Sequence, residues 1–182
     1  FNKKPRFVAV RYGNVLESRG SIIPLFRHQA INSKAFTITH PEMTRFIMTL
    51  DESIELIVKA TLNAKSGQTW IPFLPSMKVL DLAKMFSQKY NKPIKNIGIR
   101  PGEKIDESLI SEPESLRVLQ KGKYYIMENS LVTELKNAKL FSYSSKNEVL
   151  SFSQLHNLLM KKKIFDWNLK ELVGSKIDHF KN

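Results

Sequence analysis

The chain reads as an α/β protein built around a parallel sheet. Three observations predict this. Short apolar, β-branched runs alternate with stretches of ten or more residues whose apolar positions recur at helical spacing. Serine and threonine with Glu or Gln three residues later mark helix starts at Thr49 and Ser151. Polar and glycine-containing segments follow the runs, at the strand ends where open α/β sheets place ligands.

Taken in order, Arg6 to Val10 (RFVAV) is short and apolar and reads as a buried strand that delivers Tyr12 to Asn14 at its C-terminal end. Ser21 to Ser33 reads as a helix with Ser21 as cap and Pro24 tolerated in the first turn. Phe36 to Thr39 and Arg45 to Met48 are short strands, expected to pair with each other as a small accessory ribbon. After the Thr49 box, Leu50, Ile54, Ile57, Val58 and Leu62 fall at helical spacing. Gln68 to Pro72 returns as a strand in the same sheet as Arg6 to Val10. Val79, Leu82, Ala83, Phe86 and Tyr90 mark an amphipathic helix capped by Ser76. Ile94 to Ile99 is a strand leading into Arg100, and a helix runs from Ser151 to about Lys162, with Leu150 and Leu155 as hydrophobic staple. Residues 1–160 form the expected folded unit, and 161–182 a peripheral basic tail.

Composition narrows the chemistry. A chain of 182 residues with 42% hydrophobic content is about one domain and can bury a core. The absence of cysteine excludes disulfides, thiol catalysis and Cys-based metal sites, and the four histidines are scattered without metal-ligand spacing. No apolar run approaches the roughly 20 residues of a spanning helix, and no signal-peptide core follows Phe1, so a cytoplasmic protein without membrane contact is expected. The first residue is not methionine, as in a fragment or an incompletely recorded chain. The formal charge of +12 raises nucleic-acid binding, with Lys161 to Lys163 beside Phe165 and Trp167 as the candidate patch. The lysines, however, are spread along the whole chain and no nucleic-acid-binding motif is present, so a solvated basic surface is the expectation.

Three segments carry the functional signal: Arg11-Tyr12-Gly13-Asn14-Val15, Met43-Thr44-Arg45-Phe46 and Arg100-Pro101-Gly102-Glu103-Lys104. They supply guanidinium forks for phosphates, glycines that let backbone approach a ligand, and a carboxylate able to accept from ribose hydroxyls. Arg45 stands in an otherwise apolar segment, so its charge must meet a partner or remain expensively buried. Together they point to a sugar nucleotide.

In order and spacing, the blocks RYGNVLESRGSIIP (11–24), PEMTRFIMTLDE (41–52), PSMKVLDLA (75–83), IGIRPGEKIDE (97–107) and YSSKN (143–147) resemble an extended short-chain dehydrogenase/reductase of the polysaccharide-biosynthesis subfamily. The nearest likeness is to the inverting UDP-N-acetylglucosamine 4,6-dehydratases, and it covers only the C-terminal half of such an enzyme, roughly residues 6 to 160. The resemblance implies late strands of a Rossmann-like fold plus the small sugar-nucleotide-binding subdomain. It implies a UDP-sugar ligand, NADP in the complete enzyme but not on this chain alone, and a homo-oligomer of the full-length form. It implies Asn14 on a phosphate or sugar oxygen, Arg45 and Arg100 on the diphosphate, Glu103 on the ribose, Ile23 and Pro24 beside the uracil, and Tyr12 and Gly13 near the nicotinamide. Ser18, Arg19 and Ser21 are placed near the sugar pocket.

Other parts of that family's pattern do not occur. No glycine-rich dinucleotide turn is found among the 7 glycines. The residues four beyond the tyrosines are Leu16, Ile94, Glu128, Asn129 and Asn147, so the Tyr-x-x-x-Lys pair is missing, and no aspartate precedes a lysine as in the dehydratases' Asp-Lys pair. No catalytic residue is therefore assigned, and the chain alone is expected to be inactive. The family's usual glycine is replaced by Glu17, its lysine by Phe73, and its Leu-His pair by Ile105-Asp106. A carboxylate at Glu17, if close to a diphosphate, would repel it by on the order of 1 kcal/mol. A UDP-sugar 4-epimerase portion and a non-catalytic remnant are the alternatives.

Overall fold

A computed structural model of the chain describes residues 5–129, 131, 135 and 138–164. The elements in order are β1 (Ala9–Val10), β2 (Asn14–Val15), α1 (Ile22–Asn32), β3 (Phe36–Ile38), β4 (Thr44–Met48), α2 (Leu50–Asn63), β5 (Thr69–Pro72), β6 (Ser76–Lys78), α3 (Val79–Tyr90), β7 (Ile94–Asn96), β8 (Ser108–Ile110), α4 (Glu112–Ser115), β9 (Val118–Lys121), β10 (Tyr124–Met127), β11 (Tyr143–Ser144) and α5 (Phe152–Lys161).

The α/β class is observed, with β1 parallel to β5 as expected, in a sheet ordered β1-β5-β10-β9. β10 and β9 are antiparallel, joined by a two-residue turn at Gly122 and Lys123 in which Gly122 has φ +57°. The elements between Asp106 and Tyr143 are not among those expected from the sequence. The expected ribbon of β3 with β4 is corrected: β3 pairs in parallel with β7, while β4 lies between β2 and β6. The two strands flank the His40–Met43 turn and diverge beyond it into separate sheets. Ser76 does not cap α3 either. It belongs to β6, its side chain bonds Glu148 O at 2.9 Å, and Lys78 takes the cap position.

The helix starts at Thr49 and Ser151 are built as the sequence indicates. Thr49 Oγ1 accepts from the Glu52 amide (3.2 Å), Glu52 Oε2 accepts from the Thr49 amide (2.6 Å), and Ser151 with Gln154 repeats the pattern. Each such cap stabilises by about 1 kcal/mol. On α2, however, the buried face is Ser53, Leu56 and Ala60, whereas Leu50, Ile54, Ile57, Val58 and Leu62 are all exposed.

The largest core joins α1, α3, α5 and β3 around Phe26, Phe36 and Phe86, whose rings meet edge to face at 5.4 to 5.7 Å. A second core lies under β4, β8 and β11, where Phe46 packs on Tyr143. The seam between these two cores is where β2, β4 and the start of α1 come together. Residues 165–182, with Phe165 and Trp167 of the expected basic patch, lie outside the described residues.

Candidate functional site

The seam opens into a cavity of about 250 Å³. Asn14 from β2, Ile23 from α1, Arg45 from β4, and Arg100 and Glu103 from the segment after β7 line it, so five of the eight expected binding residues, drawn from three distant blocks, share one cavity. Tyr12, Gly13 and Pro24 are not in its lining. Ser21 is in it, and Ser18 and Arg19 are not.

Each block has a local reason for its sequence. Arg100-Pro101-Gly102-Glu103 is a turn closed by the Glu103 amide donating to Arg100 O at 3.0 Å. Proline in second place and a glycine at φ +78° in third fit the type II turn, in which a side chain at the third position would be strained. Glu103 Oε2 accepts from the Arg100 amide (3.1 Å) and Oε1 from the Thr39 hydroxyl (3.0 Å). The carboxylate thus holds the turn closed and ties it to the end of β3. Thr39 also lines the cavity and was not expected; its signal is only that it ends the β3 run. Arg100 itself is exposed, and among the described residues its guanidinium makes no hydrogen bond or ion pair.

Arg45 is different. Its side chain is 13% exposed; Nη1 donates to Thr44 O (2.7 Å) and Ile105 O (3.0 Å), Nη2 donates to Lys104 O (2.8 Å), and Nε stands 3.7 Å from Glu107 Oε1. The neighbouring Thr44 hydroxyl donates to Asp106 Oδ1 (2.7 Å) and lies 2.6 Å from Ser145 Oγ, which in turn accepts from the Glu107 amide at 2.9 Å. These contacts link the second, fourth and fifth sequence blocks in one network. Asp106, at a position where the resembled family often has histidine, is part of it.

Ser21 precedes α1 in the cap position, yet its hydroxyl caps no amide and has no hydrogen-bond partner although it is buried. Its oxygen is closed off from solvent and stays unsatisfied among the described residues. Gly13 is required by packing: a Cβ there would lie 2.3 Å from Phe46 Cβ and 3.1 Å from Leu74 Cδ1. Glu17 has φ +63°, a conformation that favours glycine, and it pairs with Arg27 outside the cavity lining. A glycine at the matching position would adopt that backbone without strain, and here the Glu17 charge is paired with Arg27.

Two groups in the five sequence blocks are structural. Arg11 grips Glu114 bidentately (2.7 and 3.0 Å) and also bonds Leu109 O, and the Arg11 guanidinium holds the Glu114 carboxyl down to about 2. Burial pushes the Tyr143 phenol up to about 12, and its oxygen accepts from the Leu74 amide at 2.7 Å. It stays protonated at neutral pH and anchors β11. No group of three or more His, Asp or Glu side chains suited to a metal is found among the described residues, and no helix among them is long and apolar enough to cross a membrane.

Comparison with known proteins agrees with this architecture. The profile of the family described as "Polysaccharide biosynthesis protein" matches residues 1–129. A UDP-N-acetylglucosamine 4,6-dehydratase (inverting) of Campylobacter jejuni is 37% identical over 131 residues, 71% of this chain and 39% of that protein. A UDP-glucose 4-epimerase of Rickettsia prowazekii is 35% identical over 178 residues, covering 91% of this chain and 51% of the relative. The solved structure of Pen from Bacillus thuringiensis superposes with a TM-score of 0.79 at 35% identity, covering 87% of this chain and 51% of that one. The chain thus spans about half the length, or less, of the proteins it matches, and it belongs to the polysaccharide biosynthesis protein family, with the Rossmann-like α/β fold of the extended short-chain dehydrogenases/reductases.

Proposed function

We propose that this chain is the UDP-sugar-binding portion of an NADP-dependent UDP-N-acetylglucosamine 4,6-dehydratase-like enzyme, a lyase of surface polysaccharide biosynthesis. The observation that carries this reading is the convergence of Asn14, Ile23, Arg45, Arg100 and Glu103 on one cavity, with the Arg100 fork uncommitted at its rim. A guanidinium with free parallel N–H groups is suited to two charge-assisted bonds to a diphosphate. Asn14 offers hydrogen bonds to sugar or phosphate oxygens, and Ile22, Leu25 and Ile97, backed by the fully buried Ile23, offer an apolar wall to the uracil. Pro24 would reach the base only from outside this lining. Glu103 retains lone pairs for a ribose hydroxyl beyond those used by Thr39 and Arg100. A volume of 250 Å³ is below the roughly 300–1,000 Å³ of ligand pockets, so a nucleotide sugar would extend beyond the cavity towards Arg100.

The dinucleotide is a different matter. The residues present do not form a cradle for NADP: the glycine-rich turn is missing from the sequence, and Gly13 serves packing against Phe46 and Leu74. No step through the cofactor is assigned to this chain. With neither Tyr-x-x-x-Lys nor an Asp-Lys pair in the sequence, we assign it binding and no turnover of its own. Residues 1–160 are taken as the binding unit and 161–182 as a basic tail, in a cytoplasmic protein that acts on a small ligand and forms a homo-oligomer in full-length form.

A 4-epimerase portion is the second reading, favoured by the epimerase relative's 91% coverage of this chain. Calorimetric titration of the 182-residue chain with UDP-N-acetylglucosamine, UDP and uridine tests binding. Tighter binding of both diphosphates than of uridine is expected, and equal or absent binding of all three sinks the proposal.

A further inference from the structure

We propose that the open edge of β1 and the apolar flank of α2 beside it form one docking face for an α/β unit that adds a parallel strand and a covering helix. That unit is the half of its relatives' architecture that this chain does not match. The inference goes beyond the nucleotide-sugar reading and does not depend on it.

The sheet ordered β1-β5-β10-β9 has two outer strands, and they differ. β9 carries Gln120 and Lys121, and lysine on an outer strand discourages further pairing. β1 is apolar and is paired on one side only. The amides of Ala9 and Arg11 donate to Gln68 O and Trp70 O at 3.0 Å each, so the backbone N–H and C=O of Val10 between them point away from β5. Among the described residues no strand meets them, and such an edge is a template for another strand.

α2 lies over the same strands. Its Leu56 and Ala60 pack with Trp70, and Val8 and Val10 lie against that cluster. On the β10 side the helix is finished by polar contacts: Glu55 pairs with Lys59 (2.8 Å) and Lys123 (3.0 Å), and the Lys59 ammonium stands over the Tyr124 ring. Helical geometry puts Leu50, Ile54, Ile57 and Val58 on the other flank, on the open side of β1, where Arg6 donates to Thr61 O. These four side chains are 45 to 61% exposed. Parallel neighbours are joined by crossover helices that cover the sheet, so a strand added beside β1 brings a helix against this stripe. Relative length identifies the occupant: 87% of this chain superposes on only 51% of Pen, and 91% of it matches only 51% of the Rickettsia prowazekii relative. The added strand would end beside Tyr12, two residues from the cavity-lining Asn14, so the docked unit brings its own strand-end residues to the cavity rim.

The test mixes the 182-residue chain with the half of Pen that it does not superpose on, made as a separate polypeptide. Sedimentation velocity should show an equimolar complex. Amide exchange at Val10 should slow about tenfold or more, while Arg11, already bonded to Trp70 O, stays unchanged. Ile57→Asp should weaken the complex about tenfold or more, and Leu119→Lys, on the opposite outer strand, less than about twofold. If the Pen half does not fold alone, it is joined ahead of this chain in one polypeptide, where Val10 should show the same slowing and Ile57→Asp should reverse it. Unchanged exchange at Val10 in both formats, or equal effects of the two substitutions, would overturn the proposal. So would the chain alone dimerising through Ile57 with Val10 slowed, which would make a second copy the occupant. No nucleotide enters the test, so a chain that binds no UDP would defeat the functional reading and leave this one to its own result.

Discussion

The two sides of the cavity each carry an arginine, and the two are held in opposite ways. On the β4 side Arg45 is nearly buried and its donors are engaged by the chain's own carbonyls and by Glu107. On the turn side Arg100 is exposed on a type II turn, with its fork uncommitted among the described residues. The family resemblance implies the same diphosphate role for both, because each stands in a block that matches the family. The difference teaches that a site of this kind needs one side built rigidly so that the other can present an unpaired charge without the turn collapsing onto it.

If that contrast holds, the largest effects on stability belong to the β4 side. Arg45→Ala should lower the unfolding free energy by about 2 to 3 kcal/mol in urea titrations, the scale of lost hydrogen bonds to a charged group with carbonyls left behind. Arg100→Ala should stay within about 0.5 kcal/mol of wild type, as for a surface change. Equal losses in the two variants would erase the distinction.

Gly13→Ala sharpens the same comparison. The new methyl would have to displace Phe46 on β4, so a loss of about 1 to 3 kcal/mol is expected by thermal denaturation. A neutral outcome would mean that β2 and β4 are less tightly joined than their contacts indicate.

A smaller effect is expected with acid. The Glu114 carboxyl, held down to about 2 chiefly by its bond to Arg11, contributes stability that is fully present above its ordinary value near 4.5. That contribution is lost as the pH falls from about 4.5 towards 2, and Glu114→Gln should remove this part of the acid dependence while costing about 1 kcal/mol at neutral pH. A variant whose stability falls as steeply with acid as wild type would assign the dependence to other carboxylates.

The smallest effect is Glu17→Gly. Relief of the left-handed backbone opposes loss of the Arg27 ion pair, so a net change within about 0.5 kcal/mol is expected, with UDP affinity unaltered because Glu17 lies outside the cavity lining. A marked gain in affinity would mean that its charge does reach the ligand.

Much of this was legible in the sequence wherever the signal is local. The Thr49 and Ser151 boxes, the start of α1 before Pro24, the strands around Val10 and Trp70, and the turn chemistry of Pro101-Gly102 all depend on residues within a few positions of each other. Partnership at long range was not. Nothing in Phe36 to Ile38 or Thr44 to Met48 says that the first pairs with β7 and the second with β2 and β6, since any short apolar strand offers the same edge. The hairpin at Gly122 does carry a turn signal, but the flanking VLQK and YYIM runs lack the alternation that would have marked them as strands. At the site, clustering of the blocks was legible from their co-occurrence, whereas the different ways in which Arg45 and Arg100 are held depend on carbonyls of Lys104 and Ile105, which leave no mark on residue identity. Helical periodicity likewise located α2 but not its buried face, because Leu50, Ile54, Ile57, Val58 and Leu62 outnumber the small residues that pack against the sheet.

The most direct test of the central claim, that this cavity recognises a nucleoside diphosphate through Arg100, is calorimetric titration of wild type and Arg100→Ala with UDP and with uridine. The account predicts a loss of about 1.5 to 3 kcal/mol for UDP, roughly 10- to 150-fold in affinity, and no change for uridine, which has no phosphate. An Arg100→Ala chain that weakens both ligands equally, or neither, would contradict it.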